Sequence, residues 1–268
     1  MKIAVIQAWQ DAVRAEAEAP EESLCGAVLA WDGEYRKGDK LVLSGLKPGS
    51  IYAIKADAAL EEALVYTEQE SIIYEIPFYE KKESMNPLCF TGNRHYLSIR
   101  RARTFETESY RNLAKNPFDQ HAASGAYPHA SANVETRGES VFAAKNAIDG
   151  VFAATCHGEW PFASWGINRQ KDAEFCLDFG RPVDFDRIEL YTRADFPHDS
   201  YWTEATFTFS DGTSEVVQMQ KKIQEPHVFA IKRNGIRWLK LGNLIKAPDE
   251  SPFPALVQIA VYGTEHKA

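Results

Sequence analysis

The chain has 268 residues, of which 44% are hydrophobic and 25% are charged, as in an ordinary globular protein. Its 30 basic and 38 acidic residues give a formal net charge of -8, and each side of Gln120 carries 15 basic and 19 acidic residues. Because a nucleic-acid binder needs a basic face that neutralises phosphates, this balance excludes nucleic acid as the expected partner. No apolar run reaches the roughly 20 residues of a membrane span, so we also expect no membrane-spanning segment.

The cysteines and the N-terminus indicate the compartment. Cys25, Cys89, Cys156 and Cys176 show no two-residue spacing of the kind found in zinc or redox motifs. The first residues contain no apolar core of signal length followed by a small-residue cleavage site. Reduced thiols and the missing signal peptide together predict a cytoplasmic protein.

Strand patterns dominate the first 115 residues, with turn-forming Pro and Gly between them. The alternating or β-branched runs are KLVLSGL, SIYAIKA, ALVYT, SIIYEIPF and HYLSIRRA. Two segments, residues 57–64 and 106–114, are predicted to be helices. This pattern favours a small β-sandwich that acts as an accessory domain, residues 1–115.

The second part begins with a segment of linker composition. Residues 112–138 are rich in Ala, Asn, Gly, Ser and Pro and show no strand pattern. Strand patterns then resume as AEFCLDFG, RIELYTR, ATFTFSDG, SEVVQMQ, RWLKLGNL and ALVQIAVYG. Short strands at this spacing predict an all-β fold of two β-sandwich, jelly-roll-like domains, residues 1–115 and 116–268, with under about 15% helix.

Two segments between these strands concentrate aromatic and hydrogen-bonding side chains. They are RADFPHDSYW, residues 193–202, and CHGEWPFASWGINRQ, residues 156–170. A sugar needs polar groups for its hydroxyls and an aromatic plane for its C–H face. The candidate carbohydrate-binding residues are Arg193, Asp195, His198, Asp199, Trp202, His157 and Trp160. The alternative is structural, with an Arg193–Asp195 ion pair bracing the loop and Trp202 packed in the core.

The order of several short motifs resembles a known family. NAIDG, the strand end LDFG, the turn SDG and the strand VYG follow one another within residues 128–265. This order is similar to the discoidin-like, or coagulation-factor C-type, domains, which include the family 32 carbohydrate-binding modules. The resemblance implies a jelly-roll sandwich whose ligand loops emerge at one end, and it implies that Arg193 contacts the sugar.

The same resemblance implies a structural calcium ion. Asp149 in NAIDG, Thr155 and Glu265 in VYGTE match positions that hold calcium in many members of the family. Calcium takes six to eight oxygen ligands, which a tight Asp-Gly loop can supply. The alternative is that Asp149 is an ordinary turn-forming residue.

The leading functional hypothesis is non-catalytic carbohydrate binding by the C-terminal domain. The main alternative is a protein-interaction or assembly module, including a homo-oligomer, that uses the same aromatic loops. A glycoside hydrolase is the third reading, since it needs only two carboxylates about 5–10 Å apart. The sequence contains no nucleophile elbow, phosphate-binding loop or dinucleotide fingerprint, and the resembled family is usually non-catalytic, so we expect no enzyme.

Overall fold

The computed structural model describes residues 1–8, 12–154, 158–194 and 200–267. The protein is nearly all β, with 45% of its residues in strands and 8% in helical turns. Every ladder between the described strands is antiparallel. The prediction of an all-β protein with little helix is therefore confirmed.

Eight strands lie in the N-terminal part: β1 (Lys2–Ile6), β2 (Val13–Glu18), β3 (Ala27–Asp32), β4 (Lys40–Ser44), β5 (Ser50–Lys55), β6 (Ala63–Thr67), β7 (Ser71–Glu75) and β8 (Arg94–Arg101). Ten follow: β9 (Arg111–Asn112), β10 (Ala126–Tyr127), β11 (His129–Ala132), β12 (Trp165–Gly166), β13 (Phe175–Arg193), β14 (Trp202–Phe209), β15 (Ser214–Gln218), β16 (His227–Phe229), β17 (Arg233–Lys246) and β18 (Ala255–Glu265). The helical elements of the described residues are α1 (Thr104–Glu108) and four 3-10 turns: Tyr79–Lys82, Thr136–Gly138, Ser140–Phe142 and Ala144–Ile148.

Two sheets enclose the N-terminal core. One has the strand order β2-β1-β4-β7, and the other has the order β10-β6-β5-β8-β3. Strands such as β7 bury every second residue, because successive side chains of a strand point to opposite faces. The buried faces supply one continuous apolar cluster that includes Ile3, Leu41, Leu43, Tyr52 and Ile54.

The C-terminal part is organised around the 19-residue strand β13. The path of its sheet is β12-β18-β13-β17-β14-β15, with β11 and β16 also paired to β13 and β9 paired to β18. The register between β13 and β17 shifts between Asp178 and Val183, next to Gly180, whose φ is +69°. Such irregularities let a long strand bend and contribute to two layers around one core. That core contains Trp165, Phe175 and Trp202.

The segment predicted as a strandless linker contains β9, β10 and β11, so that prediction is wrong. Runs of two to four residues are too short to show an alternating pattern. Leu113 packs in the C-terminal core, Phe118 and Ala126 pack in the N-terminal core, and Ala130 returns to the C-terminal core. The chain thus passes between the two cores more than once around the predicted boundary at residues 115 and 116.

The two predicted helices are also corrected. The first segment, residues 57–64, is a turn that leads into β6, which already includes residues 63 and 64. Oδ1 of Asp57 accepts a hydrogen bond from the backbone N–H of Ala59 at 2.8 Å and closes this turn. The helix α1 spans Thr104–Glu108, so only residues 106–108 of the second segment are helical. Arg111 and Asn112 are extended instead, since they pair with β18.

Hydrogen bonds connect the N-terminal part to the C-terminal part near the 3-10 turns. The hydroxyl of Ser140 donates to the carbonyl oxygen of Glu80, and Nζ of Lys145 lies 3.4 Å from Oγ of Ser84. These contacts bring the turn after β7 against the segment that precedes β12. In the described part of the chain, no helix is long and apolar enough to cross a membrane.

Candidate functional site

A groove of about 780 Å³ lies where the turn after β7 faces the segments on either side of residue 140. Its N-terminal wall includes Tyr79, Lys82 and Met85, and its C-terminal wall includes Arg137 and Trp160. The ring of Trp160 is half-buried. Beneath it, the apolar cluster of Val141, Phe142 and Phe162 supports the C-terminal wall.

A smaller pocket of about 190 Å³ adjoins the groove. Arg137 and Phe142 line both cavities, so the two are neighbours in one concave surface. The pocket walls further include Ser164, Asn168 and Arg193. Its volume is below the roughly 300–1,000 Å³ of sites for drug-sized ligands, and therefore suits a smaller molecule.

The two loop regions named from the sequence meet at Arg193, the last residue of β13. Its side chain is buried, with only 2% exposed, and Nη1 donates a 3.1 Å hydrogen bond to the carbonyl oxygen of Phe162. The segment containing Phe162 is anchored in turn, since the N–H of Ser164 donates to the carbonyl of Val141 at 3.0 Å. Trp160 lines the groove and Arg193 lines the smaller pocket, so the two candidate residues belong to one concave surface.

Polar groups line the pocket at fixed positions. Oγ1 of Thr136 accepts a 3.0 Å hydrogen bond from the N–H of Asn168. The hydroxyl of Ser164 is fully buried and has no hydrogen-bond partner among the described residues. A buried hydroxyl without a partner is costly, so a small hydroxylated molecule or water in the pocket would satisfy it.

Arg137 and Glu139 form the polar rim of the groove. The guanidinium of Arg137 makes two hydrogen bonds to the carboxylate of Glu139, of 2.5 and 2.7 Å, and lies 5.5 Å from the ring centroid of Phe142. The hydrogen bonds from Arg137 lower the pKa of Glu139 below its usual value. This carboxyl therefore stays ionised at neutral pH and is unsuited to act as a general acid.

Trp202 is not a ligand-stacking residue in this structure, and the prediction that placed it in the binding site is wrong. Its side chain is 0% exposed, and its ring centroid lies 6.4 Å from that of the equally buried Trp165. The reason is that Trp202 begins β14, whose inward positions continue through Ala205, Phe207 and Phe209. Its alternative role as a core residue is the correct one.

Five of the candidate residues lie outside the described residues. They are Asp195, His198, Asp199, His157 and Thr155. Their proposed contributions to a sugar site, and in the case of Thr155 to a calcium site, stay predictions.

The two remaining calcium candidates do not meet. Asp149 contacts Gln258 near the start of β18, whereas Glu265 ends the same strand seven residues later. At about 3.3 Å a residue, the backbones of Gln258 and Glu265 lie roughly 20 Å apart along the strand. This separation is evidence against the predicted calcium site shared by Asp149 and Glu265, while Thr155, the third candidate, lies outside the described residues.

Each of these carboxylates is already engaged by protein donors. Glu265 accepts hydrogen bonds of 2.6 and 2.7 Å from Arg181 and another from Arg111. Burial alone would raise the pKa of Glu265, but the two guanidiniums outweigh it and hold the pKa below its usual value. Oδ1 of Asp149 accepts from the N–H of Val151 at 2.8 Å and from Nε2 of Gln258 at 2.6 Å.

These donor sets do not fit calcium. Nε2 of Gln258 also donates to the carbonyl oxygen of Asn146, so an amide N–H₂ group lies between the oxygens that a cation would need. Burial raises the pKa of Asp149 to about 7, against the opposing effect of these hydrogen bonds. Calcium takes six to eight oxygen ligands, and no group of three or more metal-binding side chains occurs in the described ranges.

The N-terminal wall of the groove was not predicted from the sequence. Tyr79, Lys82 and Met85 lie in the run FYEKKESM, which has no motif and belongs to a part of the chain that received no site residue. Arg137 and Ser164 were missed as well. The one sequence signal for this wall was the position of Tyr79. It stands between a strand pattern and a charged turn, where an aromatic residue is unusual and could indicate a binding surface.

Comparison with protein-family models and with curated proteins finds no match. The structural neighbours are carbohydrate-binding modules and lectin domains, at low sequence identity. A chitosan-binding module from a chitosanase/glucanase of Paenibacillus sp. IK-5 is 16% identical, with a TM-score of 0.40, and the match covers 58% of this chain and 100% of the module. A histidine mutant of the lectin binding domain of lectinolysin, complexed with Lewis b, is 14% identical, with a TM-score of 0.43, and the match covers 60% of this chain and 99% of that domain.

A family 32 carbohydrate-binding module from C. perfringens, in complex with galactose, is 17% identical, with a TM-score of 0.36. That match covers 50% of this chain and 91% of the module. These neighbours are of the class that the sequence motifs resemble. At TM-scores below 0.5 they determine neither the family nor the ligand of this chain.

Proposed function

We propose that the protein binds carbohydrate without turning it over, in the pocket beside Arg193 and the adjoining groove. The observation that carries this proposal is the continuity of the two cavities through Arg137 and Phe142. The joined cavity has an aromatic wall at Trp160 and a small polar pocket at Ser164. Sugars present both an apolar C–H face and a set of hydroxyls, so they need both kinds of surface.

The pocket has the chemistry of a site for a single sugar unit. Its volume of about 190 Å³ corresponds to roughly six water molecules at about 30 Å³ each. Hydroxyls of the sugar would pair with the buried Ser164 hydroxyl, with Asn168 and with the Arg193 guanidinium. Arg193 is held by its bond to Phe162, and such preorganisation reduces the entropy lost on binding.

The cavity shape favours a small molecule over a protein surface as the ligand. Protein interfaces usually have a broad apolar centre, whereas here a small pocket with polar lining residues adjoins a groove. Of the groove carboxylates, Glu139 is held by two hydrogen bonds from Arg137 and therefore does not suit the proton-donating role that a hydrolase needs. Binding without catalysis is therefore the function that the geometry supports best.

A thermal-shift screen of the full chain against neutral and acidic sugars tests this function. A sugar present at 100 times its dissociation constant adds about 2.7 kcal/mol of stability, which raises the melting temperature measurably. We expect at least one sugar to raise it in the wild type and to have no effect on a Ser164→Leu variant, whose pocket is filled. If no sugar shifts the wild type in the screen or binds on a glycan array, the proposal fails.

A further inference from the structure

Tyr79 is an unusual residue for a surface turn. Its side chain is 73% exposed, and its backbone adopts φ +53°, a conformation that bulky residues rarely take. Such backbone strain costs about 1–3 kcal/mol, and strained residues occur mainly at functional sites. The core does not bury this ring, yet the fold presents it at the groove, where Nζ of Lys37 lies 5.4 Å from its centroid.

The groove is larger than a single sugar unit requires. Its volume of about 780 Å³ is roughly four times that of the adjoining 190 Å³ pocket. One of its walls comes from the turn after β7 and the other from residues around Arg137 and Trp160. The groove therefore has aromatic side chains from both halves of the chain, among them Tyr79 from the N-terminal part and Trp160 from the C-terminal part.

From these observations we infer that the ligand is an oligosaccharide, with one unit in the pocket and the following units along the groove against Trp160 and Tyr79. This inference rests on the proposed function and adds a substrate class and a specificity-determining residue, Tyr79. Exposed aromatic rings suit the apolar faces of successive sugar units, since stacking needs little side-chain ordering. The N-terminal part then contributes directly to binding.

The groove walls are held in position before any ligand arrives. The hydroxyl of Ser140 donates to the carbonyl of Glu80, the residue after Tyr79, and Lys145 contacts Ser84 in the same segment. Ser84 is itself buried. Because its walls are fixed in this way, the groove does not close around a single sugar unit. It should instead select oligosaccharides that are long enough to contact both walls.

Isothermal titration with paired monomers and oligomers tests the inference. The probes are N-acetylglucosamine with chitotetraose, galactose with N-acetyllactosamine, and galacturonic acid with its trimer. In the pair that binds, we expect the oligomer to bind at least tenfold more tightly than the monomer. Tyr79→Ala should remove most of that gain while leaving the affinity for the monomer unchanged, and Tyr79→Phe should retain it.

Tyr96→Ala is the matched control, because Tyr96 is 45% exposed on β8 and does not line the groove. It should bind monomer and oligomer as the wild type does. Equal affinity of the wild type for monomer and oligomer overturns the inference. A Tyr79→Ala variant that retains the tighter binding of the oligomer, or that also loses binding of the monomer, overturns it too. Each of these outcomes leaves the proposed function intact. If none of the six probes binds, the inference is overturned. The thermal-shift screen against sugars then decides whether the proposed function holds.

Discussion

Nη1 of Arg193 donates a 3.1 Å hydrogen bond to the carbonyl oxygen of Phe162. This contact joins the end of β13 to the segment that carries Trp160, although 31 residues separate the two partners. It gives Arg193 two roles, because the same buried guanidinium that lines the small pocket also fixes one wall of the groove. Substitutions at Arg193 and at Trp160 should therefore have different consequences.

Trp160→Ala should weaken sugar binding at least tenfold while the melting temperature changes little. The ring is half-buried on the groove wall, and losing an aromatic face that a ligand covers costs about 1.5–3 kcal/mol of binding free energy. Titration calorimetry and a thermal melt measure the two effects. Trp238→Ala is the control, since Trp238 is also half-buried but does not line the groove. Normal binding by Trp160→Ala would remove Trp160 from the site.

Arg193→Ala should lower both sugar affinity and stability. A hydrogen bond to a charged group contributes about 1.5–3 kcal/mol, and its loss leaves the Phe162 carbonyl without this donor. For a protein of this size we expect the melting temperature to fall by several degrees. Arg193→Lys keeps the charge but loses the planar geometry, so it should recover stability more fully than affinity. A variant that binds normally despite a lowered melting temperature would show that Arg193 is only structural.

The strands were predictable because the alternation of apolar and polar residues that marks a strand is visible in a short run of neighbouring residues. Runs such as RIELYTR and ATFTF alternate apolar and polar residues, and they fall within β13 and β14. Trp202 was open to two interpretations, because the same residue ends an aromatic loop motif and begins a strand. Only the pairing of β14 with β17 establishes that it is buried.

The groove was not predictable, because it depends on contacts between distant parts of the chain. Tyr79 and Trp160 are 81 residues apart in the sequence and come from parts that sequence patterns treat separately. The short strands β9 and β10, which join the two parts, contain two residues each. Arg193 and Trp160 were candidates from the sequence, because both stand among unusually many polar and aromatic neighbours, and they line the two adjoining cavities.

Trp202→Ala should destabilise the protein severely rather than affect binding selectively. Replacing a fully buried Trp with Ala costs about 3–5 kcal/mol of folding free energy. Trp202→Phe should cost less, since Nε1 of Trp202 has no hydrogen-bond acceptor among the described residues. Urea denaturation of the two variants measures the difference. Native stability in Trp202→Ala would contradict the core position of this residue.

Asp149→Asn should stabilise the protein above neutral pH. Burial raises the pKa of Asp149 to about 7, from an ordinary value of 3.8, so the folded state binds more protons than the unfolded state between these values. Folding stability contributed by this group therefore falls as pH rises through the window from about 4 to 7 and stays low above it. Asn can still accept the bonds from Val151 and Gln258 without ionising.

Denaturation at pH 5 and pH 8 tests the sign of this effect. The advantage of Asp149→Asn over the wild type should be larger at pH 8 than at pH 5. Asp211→Asn is the control at an exposed carboxyl whose pKa is lowered by the Thr213 hydroxyl and N–H, so it should show no such gain. A wild type that is more stable than Asp149→Asn at pH 8 would mean that the ionised carboxylate is needed there.

Calcium should not change the stability of the protein, in contrast to what the NAIDG and VYGTE motifs imply. Glu265 is engaged by Arg181 and Arg111, and an amide nitrogen of Gln258 lies against Asp149 and the carbonyl of Asn146. An ion at either place would have to displace these donors and face a guanidinium or an amide N–H₂ group. We expect the same melting temperature in calcium and in chelator, and Gln258→Glu, which supplies a carboxylate beside Asp149, should make stability depend on calcium. A wild-type melting temperature that falls in chelator and recovers with calcium would show that an ion is bound after all.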